Sequence, residues 1–315
     1  MPDVIYASIK ASARKAGLLT DQQFTEFASQ KDLKDLINRL KARYPELGAI
    51  SVPSLKEFEG ALMRSFMTEV DEFIKVCPDA CKILTLIKRE ADEEDAASLL
   101  KWSLGLGDAP KLRDQPKKLT KEDAQSILQA KGFEAEAKEG TRLFKKYAIP
   151  GLIDSVFVKF RLLGIIKAVQ RMGGAGEGIY DYVDLKVDLF NIITILRGIK
   201  NNVDPKAIEE LLIFGVGKLG DEDLRKAVVS GNPQKALIYF GSISMPKAEG
   251  ARDLEKAYEK MIASNLDRTY YNGFAEIGAL IGYLELKLKE IIKLIRIANA
   301  VERSIDAKRA IQDYL

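Results

Sequence analysis

The sequence predicts an all-α protein made of three related helical modules. Apolar residues recur at helical spacing through most of the chain, and few stretches show the alternation typical of strands. In addition, one amphipathic segment occurs three times, with starts 109 and 99 residues apart. Repetition of this kind is a sign of stacked or symmetric modules. We therefore expect helical modules at residues 1–112, 113–220 and 221–315, in a pseudo-threefold arrangement.

The middle copy of the repeat, DLFNIITILR at residues 188–197, is predicted to be an amphipathic helix. A short loop follows it, and Asp204-Pro205 starts the next helix with a capping carboxylate and a proline in the first turn. The motif is therefore helix, short loop, helix. The polar residues of the first helix form a ladder along one face, Asp188, Asn191, Thr194 and Arg197.

The other two copies are DACKILTLIK at residues 79–88 and KLKEIIKLIR at residues 287–296. In each copy a charged residue opens the segment and a cation closes it, so we expect Arg296 at a place equivalent to Arg197. A helix start is predicted after each copy, and after the first copy it falls at Asp95. The joint thus recurs together with the helix.

Composition favours a globular protein with a sizeable core. The chain has 315 residues, of which 47% are hydrophobic, and a formal net charge of +3, so no strong global attraction to nucleic acid or membrane is expected. The first residues, MPDVIYASIK, lack the apolar run of a secretory signal, and no apolar run is long enough to span a bilayer. We therefore expect a soluble protein.

The sequence contains no histidine, which removes the commonest general base and the commonest metal ligand. The acidic cluster at 90–95 is interpreted as a solvated loop and helix start rather than a metal site. The glycine-rich stretch at 171–178 lacks the preceding strand and the Gly-Lys-Ser/Thr of a phosphate loop. Cys77 and Cys81 are interpreted as packing residues. No catalytic, cofactor-binding or metal-binding residue is predicted, and we expect the isolated chain to bind no nucleotide.

The remaining elements follow from apolar stripes that stop at glycine or proline. A basic stretch with two prolines, residues 108–121, is expected to link the first two modules, and it lacks the interleaved aromatics of a nucleic-acid site. The predicted helical stretches are 6–16, 20–44, 54–76, 120–131, 135–169 with a break at 149–151, 221–229, 236–240, 251–261 and 270–303.

The order of several segments resembles a known family. IGYLELKLKEIIKLIRIANAV at residues 281–301 is similar to the terminal stretch of the C subunit of archaeal and bacterial A/V-type ATPases, the relative of the eukaryotic d subunit. Residues 6–19 resemble the opening helix of that family, and residues 209–217 resemble its Glu, Leu-Leu and Gly-Gly region. The resemblance covers essentially the whole chain. Within the last stretch the chain departs from the family at Leu288 and Lys293.

This resemblance implies a funnel-shaped, non-catalytic subunit at the cytoplasmic face of the cell membrane, without insertion into the bilayer. Such a subunit acts as a socket between the central shaft subunits of the ATPase head, of D and F type, and the membrane rotor ring subunits. No cofactor and no nucleic acid are implied. The residues expected to contact partners are Asp188, Asn191, Thr194, Arg197 and Arg296.

Two alternatives are compatible with the residues. The polar ladder of residues 188–197 is also what an ordinary solvent-exposed helix face would show. A helical-repeat scaffold that binds peptide or nucleic acid on a concave face is the alternative function, although such scaffolds repeat about every 34 to 47 residues. The repeat in this chain is more than twice as long.

Overall fold

The protein is all-α in a computed structural model. The structure describes residues 2–110, 119–173, 179–241, 261, 264–265 and 277–307, and among these residues all regular secondary structure is helical. The predicted fold class is therefore confirmed. The predicted helix at 251–261 and the glycine-rich stretch at 174–178 fall outside the described residues, apart from residue 261.

The chain folds into two compact units. One unit contains Met1–Thr85 and Ala263–Leu315, and the other contains Leu86–Ile262. The division into three modules with boundaries near residues 112 and 220, and their arrangement as a funnel, stay predictions.

The first unit is organised around its last helix, which is long and apolar. This helix, α13 (Ile277–Glu302), packs mainly against α1 (Pro2–Lys15) and α4 (Leu55–Val76), with α2 (Asp21–Ala28) and α3 (Leu33–Leu40) at its side. Side-chain oxygens at the N-termini cap three of these helices, because the first backbone N–H groups of a helix lack partners of their own. The capping residues are Thr20, Asp32 and Ser54.

A buried carboxylate on α13 joins several parts of the first unit. Glu290 accepts hydrogen bonds from the Tyr44 hydroxyl, from Lys287 at 2.6 Å and from the backbone N–H of Leu19 at 2.5 Å. Arg43 forms a longer ion pair with it, at 3.3 Å. Burial and the neighbouring carboxylate raise the pKa of the Tyr44 phenol well above its ordinary value. The carboxylate is satisfied on all sides, so a charge can be held in this core.

The described part of the second unit is helical. Among the described residues three hydrophobic clusters form its core, and the cluster around Phe133 and Phe157 packs the end of α5 onto the three helices that follow. The helices are α5 (Cys81–Ser103), which begins in the first unit, α6 (Lys121–Ala130), α7 (Glu134–Tyr147), α8 (Gly151–Met172), α9 (Tyr180–Lys200), α10 (Pro205–Leu211), α11 (Asp221–Val229) and α12 (Pro233–Tyr239).

Two sequence predictions about α5 are wrong. The helix runs without interruption from Cys81 to Ser103, so no joint occurs at Asp95. The acidic cluster at 90–95 is part of this helix and not a solvated loop, and Glu93 within it is buried. The reason is that this stretch contains neither glycine nor proline, and its alanines give it a buried face. By contrast, the break at 149–151 and the helix start at Asp204-Pro205 are observed.

A glycine on α9 permits the close approach of α10. A Cβ atom added at Gly198 would lie 2.6 Å from two side-chain carbons of Ile208, which is itself only 2% exposed. Because interiors are close-packed, Ile208 has little room to move away. The contact between these two helices therefore depends on the missing side chain.

We expect Gly198→Ala to lower the free energy of unfolding by about 1–3 kcal/mol, as overpacking in cores does. Gly151→Ala is the matched control, since a Cβ there would meet no atom within 4 Å. Denaturant unfolding of both variants is the measurement. A Gly198→Ala protein as stable as the parent would contradict the close approach of α10 to α9.

Candidate partner-binding groove

The second unit contains a groove of about 670 Å³ bordered by α8, α9 and α10, here called the α8–α9 groove. Side chains of α9 line it at intervals of three and four residues, which places them on one face of the helix. A matching stripe of α8 lines the other side. The α9 residues are Lys186, Leu189, Phe190, Ile193, Thr194, Arg197 and Gly198, followed by Asn201 just after the helix, and those of α8 include Asp154, Ser155, Val158, Arg161 and Leu162.

The floor of the α8–α9 groove is apolar and partly accessible. Leu189, Phe190 and Ile193 of α9 are only half-buried, although they lie beside fully buried residues such as Ile208. An accessible apolar surface with polar edges is characteristic of a site for a partner. The groove is therefore suited to docking an apolar surface.

One end of the groove is closed by a buried ion cluster. Arg161 donates hydrogen bonds to Glu93 at 2.7 Å and to Glu90 at 2.6 Å, and Lys186 lies 3.8 Å from Glu90. Burial raises the pKa of Glu93 to about 7, against the lowering effect of the Arg161 guanidinium. The sequence does not predict this cluster, because no pattern relates α5 to an arginine some 70 residues further on. The charges of this cluster pair with one another within the second unit. We therefore assign the cluster a structural role at the end of the groove.

The opposite face of α9 holds a non-helical segment, residues 213–219. The Asn191 side chain donates to the carbonyl oxygen of Ile213 at 2.8 Å and accepts from its N–H at 2.9 Å. Asp188 accepts from the N–H groups of Lys218 at 2.9 Å and Leu219 at 3.2 Å. At Gly217, which has φ +95°, a Cβ would lie 2.3 Å from a carboxylate oxygen of Asp188. This backbone is therefore fixed by side chains of α9.

The five predicted interface residues thus lie in different surroundings. Asp188 and Asn191 are fully buried and engaged within the chain, so the idea that they form a polar surface is wrong. Polar residues at every third or fourth position are expected on a helix face that binds a loop as well as on a face exposed to solvent. Thr194 and the exposed Arg197 line the α8–α9 groove, and Arg296 is a half-buried residue of α13 in the first unit. For these three residues, contact with a partner stays a prediction.

The fold and the groove define an all-α protein with a surface suited to docking a partner. Residues 9–312 match the ATP synthase (C/AC39) subunit family, and the chain belongs to this family. The resemblance inferred from the sequence is thereby confirmed. None of the described helices is both long enough and apolar enough to cross a membrane.

Relatives of this chain align with most of it and share about a quarter of the aligned residues. The A-type ATP synthase C subunit of Thermococcus kodakarensis is 24% identical over 320 residues, covering 92% of this chain and 84% of the relative. The corresponding C subunit of Pyrococcus horikoshii is 23% identical over 321 residues, covering 94% and 86%. That of a Desulfurococcus species is 23% identical, covering 96% and 88%.

The stability of the second unit should depend on the protonation of Asp188. Burial raises the pKa of this carboxyl to about 6, although the N–H groups of Lys218 and Leu219 oppose the shift. Because the pKa in the folded state lies above the ordinary value of 3.8, the contribution of the carboxyl to stability is greatest when it is protonated. The stabilising contribution of Asp188 is full below pH 3.8 and is lost as the pH rises through about 6.

We therefore expect the stability difference between the parent and Asp188→Asn to change by on the order of 1–3 kcal/mol between pH 4 and pH 7. The parent loses stability relative to the variant as the pH rises. Asp108→Asn, at an exposed position, is the control and should show a constant difference. Denaturant unfolding across this pH range is the measurement, and a constant difference for Asp188→Asn would contradict the assignment.

Proposed function

We propose that this chain is a non-catalytic central-stalk subunit of an A-type ATP synthase, which couples the central shaft to the membrane rotor ring. The observation that carries the proposal is the family match across residues 9–312. Relatives named as the C subunit of A-type ATP synthases, aligned over more than nine-tenths of this chain, support it. In this role the protein lies at the cytoplasmic face of the membrane without entering the bilayer.

A coupling subunit needs stiff elements and interfaces rather than a reactive group. The long helices α8, α9 and α13, with 22, 21 and 26 residues, supply stiff elements. Their packing is supplemented by buried polar contacts at Asp188, Asn191 and Glu290, which are directional. These features support a structural role.

We propose that the α8–α9 groove receives a helix of the central shaft, which is formed by subunits of D and F type. The half-buried Leu189, Phe190 and Ile193 provide an apolar floor, and Arg197 and Asn201 provide polar contacts at its edge. Helix-in-groove recognition has this division between apolar anchors and a polar rim. In this proposal the shaft contacts a mixed surface, apolar in the floor and polar at the edge.

The apolar floor is tested by Ile193→Glu. A buried charge at the centre of the contact should weaken binding of the isolated shaft subunits by about tenfold or more, because an unpaired charge must lose its water. Val229→Glu is the matched control, since Val229 is 78% exposed on α11 and does not line the groove. Surface plasmon resonance with immobilised shaft subunits measures both. Unchanged binding of Ile193→Glu, with the helical signal retained, would rule out this groove as the shaft site.

The predicted contacts of the two arginines with the shaft are tested by Arg197→Glu, at the edge of the α8–α9 groove, and Arg296→Glu, on α13, singly and together. Exposed ion pairs contribute roughly 0–1 kcal/mol each, so each single variant should bind the shaft slightly more weakly than the parent. The double variant should show the summed loss, since effects at independent sites add. Lys167→Glu with Lys235→Glu, two exposed residues outside the groove, supplies the same change of net charge. If the double variant binds as the parent does, the shaft contacts neither arginine.

A further inference from the structure

The second unit carries another groove, of about 830 Å³, between α6 and α7, here called the α6–α7 groove. We propose that it docks an amphipathic helix of a partner protein that carries acidic side chains beside its apolar face. This inference goes beyond the proposed attachment of the shaft, because the two grooves have no lining residue in common within the described part of the chain.

The floor of the α6–α7 groove is built by the end of α5. Leu100 and Leu104 line it together with Leu128 of α6 and Ala137 of α7. A Cβ atom at Gly140 would lie 3.0 Å from Leu100, so the glycine allows α7 to come down onto α5. The floor therefore offers apolar side chains to an incoming surface.

The two walls of this groove are single helix faces, which favours a helix as the occupant. On α7 the lining residues recur at intervals of three and four from Glu134 to Lys145, and on α6 they recur similarly from Lys121 to Gln129. A groove between two helix faces lies between their side-chain ridges, and the ridge of a third helix fits such a channel. Three lysines at the edge of the groove, Lys121, Lys138 and Lys145, favour an acidic helix as the occupant.

The lysines of the wall lack opposite charges in the structure. Lys121, Lys138 and Lys145 are exposed and have no ion-pair partner among the residues that the structure describes. The neighbouring Arg142 differs from these lysines because its charge is paired, with Glu139 at 2.7 Å and with Glu210 at 2.6 Å. The positive charge of the three lysines is therefore available to a partner.

The acidic residues of the wall interact with the N-terminal ends of their own helices. Glu122 and Glu134 lie in the first turns of α6 and α7, where a carboxylate is favoured by the unpaired backbone N–H groups of the helix end. They therefore offset the lysines less than their number suggests. Complementary potentials direct which partners bind, and here they favour an acidic helix over a basic one.

The lining residues do not favour nucleic acid. Single-stranded nucleic acids bind on aromatic side chains that stack with the bases, and none of the described residues that line this groove is aromatic. Leucines in the floor would also be left without a counterpart. An acidic amphipathic helix, by contrast, uses both the floor and the lysines.

The test uses the full chain and two synthetic helical peptides of about four turns. Both carry leucine at positions i, i+3, i+4 and i+7, and the flanking positions are all glutamate in one peptide and all lysine in the other. We expect the glutamate peptide to bind at least about tenfold more tightly than the lysine peptide in fluorescence anisotropy, because of charge complementarity. Added salt should reduce the difference.

Lys138→Glu with Lys145→Glu should reverse the preference between the two peptides. Lys167→Glu with Lys235→Glu is the control, because it changes the net charge equally at residues outside the groove. Leu104→Asn, in the floor, should weaken both peptides equally. If the reversed variant loses its helical signal, Lys138→Gln with Lys145→Gln replaces it and should abolish the preference.

Three outcomes would overturn the proposal. The peptides could bind equally to the parent, or the preference could survive the substitutions at Lys138 and Lys145. A single-stranded oligonucleotide could also bind more tightly than the glutamate peptide and be lost on the same substitutions, which would make the groove a nucleic-acid site.

Discussion

The backbone of residues 213–219 is not helical, so its N–H and C=O groups must find partners elsewhere. Buried backbone groups without a hydrogen bond are costly, and α9 supplies the bonds through Asn191 and Asp188. The same helix carries the half-buried stripe that lines the α8–α9 groove on its other side. The position of the groove residues thus depends on how one face of α9 is anchored.

Two copies of the sequence repeat make the same kind of hydrogen bond. Aligned on their first residues, the second and third copies place Asn191 opposite Glu290. Both side chains are buried and accept a backbone N–H from a connecting segment, at Ile213 and at Leu19 respectively. The first copy has the exposed Lys82 at this position, a side chain that can only donate. The two later copies therefore share a local function, namely to hold a loop against a long helix.

Local signals made most helices predictable, and long-range contacts account for the errors. The starts at Thr120 and Asp204, and the break before Gly151, follow from capping residues and proline, whose effects act within one turn. The polar surface predicted at Asp188 and Asn191 is wrong because spacing alone does not distinguish a face against water from a face against a bonded loop. Likewise, the partner of Glu93 is Arg161, which lies on a different helix.

The two faces of α9 have different mechanical properties. Apolar contact is non-directional, so side chains that pack on Leu189 and Ile193 can slide along the helix at little cost. The paired bonds of Asn191 to Ile213 are directional and join fixed atoms, so they resist any displacement along the helix axis. Under a shearing load, α9 would keep its register with residues 213–219. An apolar partner bound in the α8–α9 groove would shift along the helix more easily. Slippage in this unit would therefore begin at the groove and not at the loop.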